Sequence, residues 1–169
     1  TTITMGSIFS SSEYKVEDHR VSDRKLFDSY IADGKFNDLS GKVVGITGTS
    51  AGSLGFFVAE VAIKKNVKIL LLLNRNSGSA QKGKDGLETI IKDAGSNTDL
   101  KVVTIDMQDL ESVKKAGAEV NKIASENGGL DILVCNAGIM ATKDKRTKDG
   151  FDVQMQTNQL SHFLLSQIT

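Results

Sequence analysis

The sequence predicts an α/β chain with a doubly wound parallel sheet, of about four strands with flanking helices. Three observations predict it. Four runs are almost continuously apolar, KVVGIT (42–47), VKILLL (67–72), LKVVTI (100–105) and LDILVC (130–135), as strands are when helices cover both faces of their sheet. Segments of helical spacing separate these runs. A glycine-rich turn joins the first strand to the first of those helices.

The elements follow in order. Residues 1–40 are set apart: TTITMGSIFSSSEYKVEDHR reads as an extended arm, and VSDRKLFDSYIADGKF as a short amphipathic helix with Val21, Leu26, Phe27, Tyr30 and Ile31 apolar. Residues 41–169 carry the strand–helix alternation. Leu54, Phe57, Val58, Val61 and Ala62 have helical spacing, as do Leu87, Ile90, Ile91 and Ala94, and then Leu110, Val113, Gly117, Val120 and Ala124. From Gly150 the pattern returns, with Leu160, Phe163, Leu164 and Ile168 on one helical face.

Composition narrows the function. The 169 residues suit one domain, and 21 basic groups balance 21 acidic ones, so neither a nucleic-acid binder nor an anionic-membrane binder is expected. One cysteine, Cys135, forms no internal disulfide, and two separated histidines, His19 and His162, give no metal site. No apolar run approaches the ~20 residues of a membrane span. A soluble protein of the cytosol is expected, or of an organelle interior after removal of a transit peptide, since the serine-rich start begins at Thr1 rather than methionine.

The glycine-rich turn, TGTSAGSLG (47–55), carries the chemistry. Glycines let a backbone approach a pyrophosphate, and the free amides at a helix start offer donors and a positive dipole end. A glycine cluster alone is weak evidence, and its position at the first strand-to-helix junction strengthens it. Gly48, Ser50, Gly52, Ser53, Leu54 and Gly55 are the candidate phosphate-loop residues. No acidic residue lies between Glu60 and Asp85, where an acid would take the ribose hydroxyls of NAD. Arg75 and Asn76 stand there instead. A guanidinium binds a phosphate through two hydrogen bonds, which favours NADP(H) over NAD(H). The alternative leaves Arg75 a solvated loop cation.

The turn resembles the TGxxxGxG loop of the short-chain dehydrogenases/reductases, Rossmann-fold enzymes that use nicotinamide dinucleotides. Asp106, followed by Met107 in DMQDLESV, resembles the acidic residue that meets adenine after the third strand. Cys135-Asn136-Ala137-Gly138 resembles the NNAG motif, which stabilises the sheet and borders the cofactor. TKDGFDVQMQTNQLSHFLLS (147–166) resembles the T-x-D/E-G-F-E…N-H-L-G-H-F-L-L segment of retinol dehydrogenase-like and protochlorophyllide reductase-like members. The spacing departs from the family at Leu54, where a third glycine is usual, and at Gln159 and Ser161.

The resemblance implies an oxidoreductase acting on an unidentified small-molecule substrate, and a catalytic Tyr-x-x-x-Lys. The only tyrosines are Tyr14 and Tyr30, both before the glycine turn. The expectation is therefore the cofactor-binding fragment of an enzyme, itself inactive, with an incomplete Rossmann sheet. Asn158 matches the family's active-site asparagine; the alternative is a helix residue that bonds nearby backbone. His162 is the one other plausible proton donor, and its apolar neighbours Phe163 and Leu164 argue for a core position. A sheet ordered 3-2-1-4 would leave LDILVC as an exposed edge. Missing sequence would account for that edge, as would a protein partner covering it. The rival reading is a non-catalytic structural or regulatory subunit of a larger assembly.

Overall fold

The computed structural model describes residues 24–32 and 36–169. They fall in two units, the first ending at Asn37 and the second running from Asp38 to Thr169. In the first, α1 (Arg24–Ala32) realises the expected short helix. The Arg24 side chain pairs with Asp28 at 3.1 Å and lies 5.3 Å above the Phe27 ring. The extended arm expected before it lies outside the described residues.

The second unit is one parallel sheet in the order β3-β2-β1-β4. Its central strands, β1 (Val43–Thr47) and β2 (Ile69–Asn74), are buried at every position. Alternate side chains feed two cores, because successive residues of a strand point to opposite faces. Val43, Ile69, Leu71 and Leu73 join Val113, Ala116 and Val120 of α4 (Leu110–Ser125) and Leu165 of α6 (Ser161–Ile168). Val44, Ile46, Leu70 and Leu72 meet Ala59, Ala62 and Ile63 of α2 (Leu54–Lys64) and Leu87 of α3 (Gly78–Ala94).

The outer strands depart from the expected double coverage. In β3 (Asp99–Thr104) only Val103 is buried, and Val102 stays 43% exposed. The fourth strand, expected over residues 130–135, shrinks to β4 (Ile132–Val134) and is partly exposed. Side-chain chemistry trims both of its ends. The Asp131 carboxylate accepts from Lys42 Nζ at 2.8 Å and from the Val43 amide at 2.9 Å, and the Lys42 ammonium holds that carboxyl below its usual range. Beyond Val134, the Asn136 and Ala137 amides turn to the Thr47 hydroxyl. β2 begins two residues later than the apolar run does. Asn66 is left-handed at φ +63°, and the Val67 amide returns to the Ala62 carbonyl.

Side-chain caps open the three long helices that flank the sheet. Ser53, Ser77 and Asp109 accept amides of the first turns of α2, α3 and α4. The last helical stretch is not one regular helix. A π turn, Gln156–Leu160, separates α5 (Val153–Met155) from α6. The wider turn rotates the buried face away from the expected Leu160, Phe163, Leu164 and Ile168. Val153, Gln156, Thr157, Ser161, His162 and Leu165 point inward instead, and Phe163 is 61% exposed. Ser161 Oγ fixes this register by donating to the Met107 carbonyl at 2.6 Å.

α3 crosses the glycine turn at Gly83, where a Cβ would stand 2.3 Å from the Thr49 carbonyl oxygen and 3.0 Å from the Ala51 amide nitrogen. Gly83→Ala therefore destabilises the chain by about 1–3 kcal/mol through overpacking, although alanine is the better helix former by about 1 kcal/mol. Gly78→Ala, with open space around it, is neutral or slightly stabilising. Urea titration of both variants checks the pair, and equal midpoints would show that the crossing tolerates a methyl group.

Candidate functional site

A cleft of about 360 Å³ opens at the carboxyl ends of the strands, the end where open α/β sheets bind ligands. Gly48, Ser50, Ser53 and Leu54 of the glycine turn line it, with Arg75 after β2, Asp106 and Met107 after β3, and Asn136, Ala137 and Gly138 after β4. Four segments distant in sequence thus converge on one place. Gly52, Gly55 and Asn76 do not line this cleft; Asn76 borders a smaller hollow of about 60 Å³ with Arg75 and Lys84.

The turn is held by close approaches. Gly48 has φ +74° and a built Cβ there would lie 2.9 Å from Ala137 Cα. The glycine is therefore demanded by protein packing as well as by any ligand, and a side chain there disturbs the β1–β4 junction itself. A Cβ on Gly55 would lie 2.6 Å from both the Gly48 carbonyl oxygen and Asn136 Nδ2. Gly55 thus lets α2 begin tight against the sheet, while Leu54, in the place of the family's third glycine, is 72% exposed. Ser53 is fully used within the turn: its amide donates to the Ser50 carbonyl at 3.0 Å, and its hydroxyl bonds the Gly48 carbonyl and the Phe56 amide at 3.2 Å each. The Leu54 and Gly55 amides remain at the open start of α2, facing no intrahelical partner.

Two polar residues outside the sequence-derived set hold this architecture. Asn74 ends β2 buried, accepting the Thr49 amide at 2.8 Å through Oδ1 and donating to Thr49 Oγ1 at 2.7 Å. A polar residue closing an otherwise apolar run was its signal. Thr47 is the second. Its hydroxyl oxygen accepts the Asn136 amide at 3.0 Å and the Ala137 amide at 2.9 Å, and meets His162 Nε2 at 2.9 Å. Asn136 Nδ2 returns two bonds, to the carbonyls of Thr47 at 2.8 Å and Gly48 at 2.9 Å.

His162 sits in the core as its apolar neighbours suggest, 6% exposed, and burial lowers its proton affinity below the usual histidine value. Asn158 clamps backbone: Oδ1 accepts the Ile139 amide and Nδ2 donates to the Ile139 carbonyl, both at 2.9 Å. Asp106 uses Oδ1 to accept the Gln108 amide at 2.9 Å, shaping the turn that lines the cleft. Arg75 is exposed and pairs with no carboxylate among the described residues. No helix among them is long and apolar enough to cross a membrane, and no cluster of potential metal ligands forms among them.

Residues 42–169 match the family model for short chain dehydrogenase. An uncharacterised oxidoreductase of Schizosaccharomyces pombe is 38% identical over 78% of this chain and 36% of its own length. The WW domain-containing oxidoreductase of Gallus gallus is 35% identical over 78% of this chain and 30% of its own length. The chain thus spans about a third of the length of these relatives. Among solved structures, an uncharacterised protein of Mycobacterium paratuberculosis superposes with a TM-score of 0.62 at 28% identity, covering 80% of this chain and 44% of that one. The NADPH-dependent 3-quinuclidinone reductase of Rhodotorula rubra shares the fold, with a TM-score of 0.59 at 23% identity over 95% of this chain and 53% of that one.

Thr157 Oγ1, on a residue lining the cleft, is buried with no hydrogen-bond partner. An unsatisfied buried hydroxyl costs about 1–3 kcal/mol, so Thr157→Val, which replaces it by a methyl group of similar volume, stabilises the chain by about 1 kcal/mol. Thermal denaturation of the variant checks this, and a lowered midpoint would show that the hydroxyl is satisfied after all.

Proposed function

The chain belongs to the short-chain dehydrogenase family, whose members bind nicotinamide dinucleotides, and on that premise we propose that residues 41–169 are the NADP(H)-binding part of an oxidoreductase. One observation carries the reading. The open start of α2 and Arg75, which pairs with no carboxylate among the described residues, border one cleft, so amide donors for a pyrophosphate sit beside a cation for a further phosphate.

The residues fit that ligand class. The Leu54 and Gly55 amides would hold the pyrophosphate, and the Gly48 and Gly52 backbones, both at positive φ, shape the turn that reaches it. Arg75, with Asn76 beside it, would take the 2′-phosphate that separates NADP from NAD, since no carboxylate there repels it. Asp106 and Met107 border the adenine end by family resemblance, while Asn136, Ala137 and Gly138 wall the opposite side. When bound, the dinucleotide supplies a hydride donor or acceptor at its nicotinamide ring.

The role of these residues is to bind and orient. Hydride transfer to a carbonyl also requires a proton donor for the resulting alkoxide. Among the described residues that line the cleft, Arg75 and Asp106 are the only titratable groups, and neither is assigned that step. Asn158, bonded twice to the Ile139 main chain, is assigned the holding of the wall beside Gly138 and no contact with reacting atoms. Substrate choice is assigned to none of the described residues.

Arg75→Asp inverts the preference between the two dinucleotides. It removes a charge-assisted phosphate partner worth about 1.5–3 kcal/mol and adds a carboxylate that accepts from ribose hydroxyls. Calorimetric titration of NADPH and NADH into both proteins measures the ratio. An unchanged ratio would leave Arg75 a bystander and defeat the NADP(H) assignment, and absence of either dinucleotide's binding to the unmutated chain would favour the docking-subunit alternative.

A further inference from the structure

We propose that His162 is a positioning residue for the cleft: its neutral imidazole, through Nε2, orients the Thr47 hydroxyl so that Thr47 can hold the Asn136 and Ala137 main chain in place for the dinucleotide. The inference rests on the cofactor reading above for its functional consequence, and on hydrogen-bond counting for its geometry.

The counting leaves one solution. His162 Nδ1 lies 3.1 Å from the Asn158 carbonyl oxygen. A carbonyl only accepts, so Nδ1 carries the proton and, in the neutral ring, Nε2 is a bare acceptor. Thr47 Oγ1, 2.9 Å from Nε2, must then be the donor. Its oxygen has two remaining acceptor positions, and the amides of Asn136 at 3.0 Å and Ala137 at 2.9 Å fill both. The other outlet for the hydroxyl proton, the Val134 carbonyl, is 3.4 Å away, at the long limit of a hydrogen bond. Every donor meets one acceptor only while the imidazole is neutral.

Protonation breaks this balance. An Nε2–H would aim a third donor at an oxygen with two acceptor positions, and the ring or one of the two amides must leave. Both amides belong to residues that line the cleft, and Asn136 also grips the Thr47 and Gly48 carbonyls. The disturbance therefore reaches the glycine turn directly.

Other ionisable groups lie on the elements packed around the ring. β1 brings no ionisable side chain, the segment after β4 brings Cys135, the turn after β3 brings Asp106 and Asp109, and α4 brings Glu111, Lys114 and Lys115. None of them bonds to the ring; desolvation, opposed by the Asn158 carbonyl, sets its proton affinity below the ordinary value. The sign follows from linkage. The neutral ring keeps its full effect above the ordinary histidine value near ~6.5, and the effect is lost as the pH falls through the lower value of the folded protein.

The test has two independent arms. Nitrogen-detected NMR of the labelled chain at about pH 7.5 reads the tautomer: an Nδ1–H with unprotonated Nε2 is expected, and the opposite tautomer overturns the proposal without touching the cofactor reading. NADP⁺ titrations between about pH 7.5 and about pH 5.5 read the consequence. The ligand's own phosphate titrates in this range, so the comparison is with His162→Gln, whose Oε1 can accept from Thr47 but does not protonate. The unmutated chain is expected to lose affinity on acidification about tenfold more than His162→Gln does, and His162→Phe, which keeps bulk but no acceptor, binds weakly at every pH. Identical pH dependence in the unmutated chain and His162→Gln overturns the proposal, whereas no NADP⁺ binding by the unmutated chain at about pH 7.5 overturns the cofactor reading.

Discussion

At three glycines around the turn that follows β1 the main chain comes too close for any side chain, and the rest of the second unit is arranged around that constraint. At Gly48, Gly55 and Gly83 an added Cβ would stand 2.9, 2.6 and 2.3 Å from neighbouring atoms, and at all three the neighbours include main chain. These are three different elements, so the turn is pressed from β4, from α2 and from α3 together. Such proximity brings the amides at the start of α2 next to the ends of β2, β3 and β4. At Gly48, a glycine at positive φ, packing also restricts what intrinsic flexibility would otherwise allow.

A turn pressed from three sides must still satisfy its backbone polar groups. Neutral side chains do this work. Thr47 serves the main chain after β4, Asn136 returns bonds to the carbonyls of Thr47 and Gly48, and Asn74 serves Thr49. Salt bridges lie elsewhere. Lys42 with Asp131 pins the far ends of β1 and β4, and Lys148 with Asp109 marks the start of α4. Because both pairs keep considerable exposure, each contributes little to stability. The Lys148 ammonium nevertheless holds the Asp109 carboxyl low, keeping charged the cap that accepts two amides of α4.

Much of the sheet was legible because burial imposes composition. The runs around Val43–Thr47 and Ile69–Asn74 are apolar throughout since both faces are covered, and the glycine turn shows itself by residue type. The edges were less legible: LKVVTI and LDILVC look as apolar as the central runs, yet Val102 and Ile132 stay exposed. Their position at the two edges follows from the strand order 3-2-1-4, which was expected and is observed but which local composition does not encode. The π turn is a sharper case. One extra residue in a turn leaves no compositional trace, yet it moved Phe163 out and Gln156 and Ser161 in. Phosphate-loop positions Gly52 and Gly55 were read from the motif, and the close contacts of Gly55 show a helix-packing demand on the same residue.

The cleft that results is electrically lopsided, and that asymmetry follows from how the turn is built. Carbonyls and amides near Thr47, Gly48 and Thr49 satisfy one another, so that wall presents no net charge. Along the same opening the first two amides of α2 remain unpaired and Arg75 has no carboxylate partner among the described residues. Water and ions can approach these groups without breaking an internal bond, so an anion gains attraction at little reorganisation cost. Asp106, in the turn after β3, is the one carboxylate among the residues that line the cleft. On the proposed reading the phosphates of a dinucleotide would use both the α2 amides and Arg75, which an uncharged molecule of the same size would leave unused.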